Sequence, residues 1–486
     1  MNRFGISTLR QFDLKKAALP FALAIALGAC VGGGGGSATA TTPSPSSNAS
    51  SVGGGQVGPS SSLNQQITAP GVGTGLTYYV STSGSDSNNG LSLQAPFLTL
   101  AKAVSVVNPG DTVELTTGTY AGAIIERMGT AAAWITLEPY QNDQVTIDGT
   151  GLEENVYFYN NNFAPAYWIM RGLTISGGTS YAVKIDVPDV KIVGNKITAS
   201  QDDLVKLVST ANNIVIYGNE IYANNAPIGA NAQGVDMVGA QDVWVAHNYV
   251  HDVVSISMYA KGNARNIVFE DNLVENGMDR GIMLGQSTGV QYLQPGQTYE
   301  SYDSVIRNNL IVNTVDACLA TSSSYDPQIY NNTCFNADTT AQHGGIFVSN
   351  ESALGQAGTD VNIMNNIVVQ SSTNNAVMIA TQALTTPGDL HMDHNLFWNT
   401  NGAAAVTFSY ADMNLYNLTF AQWQADTGQD MHSIVADPQF ADTVTYNLLP
   451  SSPAINAGAS ISSVTSDYSG NTRPAGQPYD IGAEQN

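Results

Sequence analysis

The fold class predicted by this sequence is all-β: a single-stranded, right-handed parallel β-helix, a solenoid closed at its start by a helical cap. Three observations predict it. A short apolar strand ending in Asn recurs eight times, at Asn195, Asn219, Asn248, Asn272, Asn309, Asn332, Asn366 and Asn395. Only 11% of the 486 residues are charged, and Asn, Thr, Val, Ile, Tyr and Gly abound where helix formers such as Lys and Glu are scarce. That balance favours strands separated by many turns. Finally, the stretch beyond residue 75 is longer than one hydrophobic core normally organises, unless the fold grows by repetition along an axis.

The spacings between those Asn residues are 24, 29, 24, 37, 23, 34 and 29, a base of 23 to 24 residues with insertions, the length of one three-strand turn. Each Asn strand, such as Ile267-Val-Phe-Glu-Asp-Asn272, leads into a second apolar strand such as Leu273-Val274. Asn suits the bend between them because it tolerates the left-handed conformation better than most residues. Stacked one above another, Asn side chains also hydrogen-bond along the axis. One rung cannot bury its apolar face, whereas eight or more share a continuous core. A β-propeller requires a longer period and its own blade signature, and is excluded.

The elements follow in order. Arg3, Arg10, Lys15 and Lys16 precede an apolar stretch over residues 17–29, too short to span a bilayer and flanked as an export signal is. Leu27-Gly-Ala-Cys30 has the small-residue pattern of a lipoprotein cleavage site, so residues 1–29 are expected to be removed and Cys30 to carry lipid. By analogy with bacterial lipoproteins, Val31 after that Cys implies onward sorting to an outer membrane. Residues 30–75 are Gly, Ser, Thr, Pro, Ala and Asn with almost no charge, the composition of a flexible tether. The β-helix is expected over residues 76–436. Its cap is an amphipathic helix over residues 97–107, halted by Asn108-Pro-Gly-Asp111. A closing segment fills residues 437–486. Cys318 and Cys334 either pair across adjacent rungs or stand as buried free thiols.

The formal charge of −23 becomes −26 once cleavage removes four cations and Asp13, which argues against nucleic acid as a partner. The cations are clustered. Nine of the twelve Lys and Arg that remain lie from Arg171 to Arg307, a basic strip suited to an anionic ligand. In the strands ahead of the Asn strands, alternation brings Lys184, Lys206 and Asp236 onto one outward column, a groove that matches an extended polymer. On the same reading Tyr259 faces the other way. No oligomer is called for, and a monomer is expected.

The opening residues Tyr78-Tyr-Val-Ser-Thr-Ser-Gly-Ser-Asp-Ser-Asn-Asn-Gly90 and the closing Asp437-Pro-Gln-Phe440 and Ser452-Pro-Ala-Ile-Asn-Ala-Gly458 resemble those of secreted right-handed β-helix carbohydrate enzymes. Within the repeat, Ser255-Ile-Ser-Met-Tyr-Ala-Lys-Gly262 resembles the lysine-bearing rung of the chondroitinase-B and alginate-lyase type of polysaccharide lyases. The resemblance implies cleavage of an acidic polysaccharide by β-elimination, with Lys261 as Brønsted base. Arg280 then stands in for the family's charge-stabilising Arg, whose own place holds Leu284-Gly-Gln286. Tyr259 or a nearby Tyr would donate the proton to the departing oxygen, and Lys184, Lys206, Asp236 and Arg265 would bind substrate. The family's calcium-binding acids are missing upstream of the Lys; Asp202 and Asp203 are the acids left to hold Ca2+, and no other cofactor is implied. The same pair resembles the Asp-Asp of polygalacturonase-like hydrolases, but their downstream Gly-His-Gly and Arg-Ile-Lys are absent. A uronate epimerase uses the same proton abstraction, and a non-catalytic glycan binder is the remaining alternative.

Overall fold

The structure, a computed structural model, describes residues 75–293 and 296–486. The signal peptide, the lipidation site Cys30 and nearly all of the tether lie outside the described residues.

From Thr77 onward the chain winds through three parallel sheets, here numbered 1 to 3 in the order each turn visits them. Sheet 1 has fourteen strands and sheets 2 and 3 have twelve each. One turn illustrates the path: Asn212–Tyr217 in sheet 1, Glu220–Tyr222 in sheet 2, Val235–Val238 in sheet 3, and Gln241–Ala246 back in sheet 1. Successive turns stack in register, with Ile214 over Val243, Ile221 over Val250 and Met237 over Ala260. These inward residues are fully buried and belong to a core running from Tyr78 to Trp423. Each such side chain contributes roughly 1.5–3 kcal/mol on leaving water. The closing pair, Phe408–Tyr410 with Leu415–Leu418, is antiparallel.

The recurring Asn forms a buried ladder at the bend between sheets 1 and 2. The backbone N–H of Asn272 donates to Oδ1 of Asn309 at 3.0 Å, and its Nδ2 donates to the same oxygen at 2.9 Å and to the Val245 carbonyl at 2.9 Å. Asn195, Asn219, Asn248, Asn309, Asn332 and Asn366 repeat the pattern toward the next turn. The conformational reason for Asn is corrected, however. The left-handed residue is the one before: Gly194, Gly218, His247, Asp271, Asn308, Asn331, Asn365 or His394. The ladder Asn is selected for its amide, which satisfies backbone groups that the bend takes out of the sheets.

The N-terminal cap is a helix, α1 (Leu100–Val106), shorter than residues 97–107. Phe97 pairs with Val80 as an extra bridge of sheet 1, and Thr99 caps the helix by accepting from Lys102 N–H at 3.1 Å. A second helix, α2 (Phe420–Thr427), lies within residues expected to be β-helix. Its buried Trp423 donates to Asp430 at 2.9 Å, and Asp430 in turn accepts from Asn395 at 3.0 Å, taking over the ladder where the Asn residues end. Cys318 and Cys334, on successive turns, are joined in a disulfide with Cα atoms 6.1 Å apart.

Candidate functional site: a basic cleft on sheet 3

Register on the outward face of sheet 3 aligns Tyr157, Lys184, Lys206, Asp236, Tyr259 and Met283 in one column. Tyr259 therefore continues the column instead of facing away. Met258 and Ala260 take the inward positions over Val235 and Met237, so the residues between and after them, Tyr259 and Lys261, alternate outward. The Tyr259 ring is nonetheless fully covered, with the Lys261 ammonium 4.5 Å above its centroid. Burial, then the Asp236 carboxylate, holds its hydroxyl well above the ordinary range. It is a platform under Lys261, and the tyrosines that line the cleft are Tyr181 and Tyr292, which the sequence does not single out.

A cavity of about 490 Å³ sits over this column. Tyr181, Lys184, Lys206, Asp236 and Lys261 line it together with Asn231 and the loop residues Ser287, Thr288, Gln291 and Tyr292. Its walls come from insertions visible as long Asn spacings: Asn231 from the 29-residue interval and the Ser287 loop from the 37-residue one. Fully buried Glu300 anchors the second wall. It accepts from Gly262 N–H at 2.9 Å, Thr288 N–H at 3.0 Å and Thr288 Oγ1 at 2.6 Å, tying the loop to the residue after Lys261. Gly262 adopts a φ of +65°, and a Cβ there would lie 2.8 Å from Val238, so the tight exit from the Lys261 strand requires glycine.

The three lysines differ in state. Lys206 lies between Asp203, 3.2 Å away, and Asp236, with which it is in direct hydrogen-bonded contact. Burial pulls its pKa down, but those two carboxylates outweigh it and keep the ammonium charged. Lys184 pairs with Glu154 at 3.1 Å and lies over the Tyr157 ring at 4.6 Å. Lys261 forms no salt bridge among the described residues. Burial, aided by Lys206, brings its amine below the ordinary 10.5, against opposing pulls from Asp236, Asp203 and Glu300. A partly desolvated amine beside another cation can act as a base, while charged Lys206 and Lys184 can attract a carboxylate. Tyr181 is pushed up to about 12, chiefly by burial, so it enters the cleft protonated.

Other expected site residues fall elsewhere. Arg280 does not line the cleft. Its guanidinium makes a two-pronged pair with Glu351, both bonds 2.8 Å, lies 3.3 Å from Asp316 and packs 5.0 Å from the centroid of Phe347. Arg265 belongs to sheet 1, where it stacks 3.7 Å from the Tyr302 ring centroid and bonds Gln297. These partners lie 32 to 71 residues away along the chain, beyond the reach of any local sequence signal. Of the two acids expected to hold calcium, Asp202 leaves a buried Oδ1 without a hydrogen-bond partner. Asp203 accepts from Gln233 N–H at 2.9 Å and faces the Lys206 ammonium, which supplies the positive charge itself. Burial, then Asp236, pushes the Asp203 carboxyl well above its usual range.

Comparison with known proteins agrees on the architecture. Residues 78–249 match a family described as the Pel9A-like, right-handed beta helix region. Among solved structures, pectate lyase Pel9A superposes over 85% of this chain and 97% of its own, with a TM-score of 0.55 and 16% identity. XylC in complex with xylose superposes over 84% and 98%, with a TM-score of 0.52 and 12% identity. The uncharacterized protein YwoF of Bacillus subtilis (strain 168) is 37% identical over 86 residues. That match spans 18% of this chain and 18% of the relative's own length. The molecule is a right-handed parallel β-helix whose first half, including the Lys184 and Lys206 turns of the cleft, matches a Pel9A-like helix.

Proposed function

We propose that this chain is a polysaccharide-active protein, a lyase that cleaves an acidic, uronate-containing polysaccharide by β-elimination in the sheet 3 cleft. The observation that carries the reading is the convergence of Lys184, Lys206 and Lys261 with Tyr181 on one open face, where, of the three lysines, Lys261 makes no salt bridge to a described residue. The likeness to a pectate lyase supports the substrate class. In this reaction the Lys261 amine takes the proton α to the uronate carboxylate. Lys184 and Lys206 stabilise the enolate-like intermediate, and its electrons form the new double bond as the glycosidic C–O bond breaks. The departing oxygen takes its proton from Tyr181 or water. Held through Cys30 at the cell envelope, on an outer membrane, the protein would meet such polymers outside the cytoplasm.

The pairing of Lys184 and Lys206 with carboxylates favours one second reading, a glycan-binding β-helix without catalysis. A panel of uronate polymers separates the two. The lyase yields an ultraviolet-absorbing unsaturated uronate, and Lys261→Ala abolishes it. Binding without product in the wild type points to the glycan binder, new reducing ends without that absorbance to a hydrolase, and inverted uronate without cleavage to an epimerase. Incorporation of labelled fatty acid, lost in Cys30→Ser, tests the anchor.

A further inference from the structure

We propose that Asp393, His394 and His432 form a binding site for a divalent transition-metal ion of the zinc class, one that fastens the connection after α2 to the last Asn bend of the helix. The site is built from two distant stretches. Asp393 ends the Leu390–Asp393 strand of sheet 1, and His394 is the left-handed residue of the last Asn bend, with a φ of +54°. His432 comes from the connection after α2, just before the Ile434–Val435 strand.

Asp393 is oriented by its backbone neighbours. Its Oδ1 accepts from His394 N–H at 2.9 Å and from His432 N–H at 2.7 Å. That leaves Oδ2 facing both imidazoles, 2.6 Å from His432 Nδ1 and 3.4 Å from His394 Nδ1. The rings lie nearly parallel, 5.0 Å apart at 20°. The three ligand atoms fall within 4.8 Å of one another, a convergence that no other His, Cys, Asp and Glu group attains among the described residues.

Independent support comes from His394 Nδ1, which is shielded from solvent and has no hydrogen-bond partner. A buried ring nitrogen left unsatisfied costs free energy that a metal would recover. Bond lengths of ~2.0–2.1 Å to nitrogen and ~2.0–2.2 Å to oxygen place tetrahedral ligand atoms roughly 3.3 Å apart. The Asp393–His394 separation already meets that. His432, 68% exposed at its side chain and on an irregular connection, has room to adjust to that spacing. Two imidazoles and a carboxylate leave the fourth position to water.

The consequence is mechanical. Asp430, two residues before His432, already takes over the Asn ladder, and Ser433, one residue after it, accepts from Asn395 N–H at 2.7 Å. A metal between Asp393 and His432 would bind only the docked form of this segment and stabilise it by mass action.

The experiment uses the full chain, stripped of metal by chelation and titrated with Co2+ and then Zn2+. Expected are visible d–d bands that saturate at one equivalent of Co2+, their loss on adding Zn2+, and a higher unfolding temperature with either ion. Because His432 is exposed, His432→Ala should fold normally yet lose affinity by about tenfold or more. His394→Asn preserves the left-handed bend and removes the ligand, with the same outcome. Lys261→Ala should bind Co2+ as the wild type does, which separates this site from the cleft. Absence of bands and of a thermal shift in the wild type overturns the proposal. So does a Co2+ response that persists undiminished in the His394→Asn, His432→Ala double variant, which would locate the ion elsewhere.

Discussion

Along the outward face of sheet 3, the turns bearing Lys184, Lys206 and Lys261 and the turns bearing Arg280 and Phe347 use cations in opposite ways. In the earlier turns the column is open: the cavity lies over it, and Lys261 has no carboxylate partner among the described residues. In the later turns the cation is spent on structure, since Arg280 is gripped by Glu351 and flanked by Asp316, whose Oδ2 also lies 2.8 Å from His343. The difference follows from the insertions. The 37-residue interval sends its extra chain outward as the wall over Lys261, whereas the loop after Ile346–Ser349 brings Glu351 back onto Arg280. Lys261 stays a candidate base because no neighbouring loop brings a carboxylate onto it, as Glu351 is brought onto Arg280.

Substitutions at the two cations should break the comparison most sharply. Lys261→Ala should reduce polymer cleavage by about a hundredfold or more, while changing stability by less than about 1 kcal/mol. Turnover and chemical denaturation of the same preparation check both halves. Arg280→Ala should do the reverse: it strands Glu351, removes one partner of Asp316 and lowers stability by about 3 kcal/mol, leaving the activity of the folded fraction near wild type. If Arg280→Ala instead removes activity at unchanged stability, the later turns are part of the site.

The Asn ladder underlies both regions. Asn272→Ala, in its middle, removes the acceptor of the Asn248 backbone N–H and the amide donor to the Val245 carbonyl and should cost about 2 kcal/mol, read from the denaturation midpoint. A smaller effect concerns pH. Because burial lowers the Lys261 amine, activity should rise with pH along a limb centred below the ordinary 10.5, as the basic form appears. In the later turns the hydrogen bond to Asp316 raises His343 above its ordinary 6.5. Its contribution to stability is therefore complete below 6.5 and lost as pH rises through the folded-state value. Asp316 is held below 3.8: burial is opposed and outweighed by His343 and Arg280, so its contribution persists above 3.8 and fades in acid. Stability curves of wild type and His343→Gln should converge above neutrality, and curves that stay parallel would remove His343 from the network.

Much of this was legible in the chain. The eight Asn residues announce the turns because each must stack on the next, and Lys184 and Lys206 share a column because strands alternate with period two. Other features were not legible, for identifiable reasons. Which residue of the bend is left-handed differs from the ladder residue by one position, and both positions accept Asn, as at Asn308-Asn309. The phase of Tyr259 depends on Met258 being the first residue to pair, a matter of register with Val235. The helix α2 lies where strands were expected, although Thr419 and Gln422 form a capping box and Gly428 closes it.

What the sequence determined by itself is the periodic part: the solenoid, its approximate turn length, and a stretch of turns rich in cations. These are local or one-dimensional properties, repeated until the pattern exceeds chance. Only the tertiary structure decided which cations are free, that Cys318 meets Cys334, and that His432 meets Asp393 across 39 residues. Those outcomes depend on where insertions fold back, and an insertion's path is set by the surface it lands on, not by the period of the turns it interrupts.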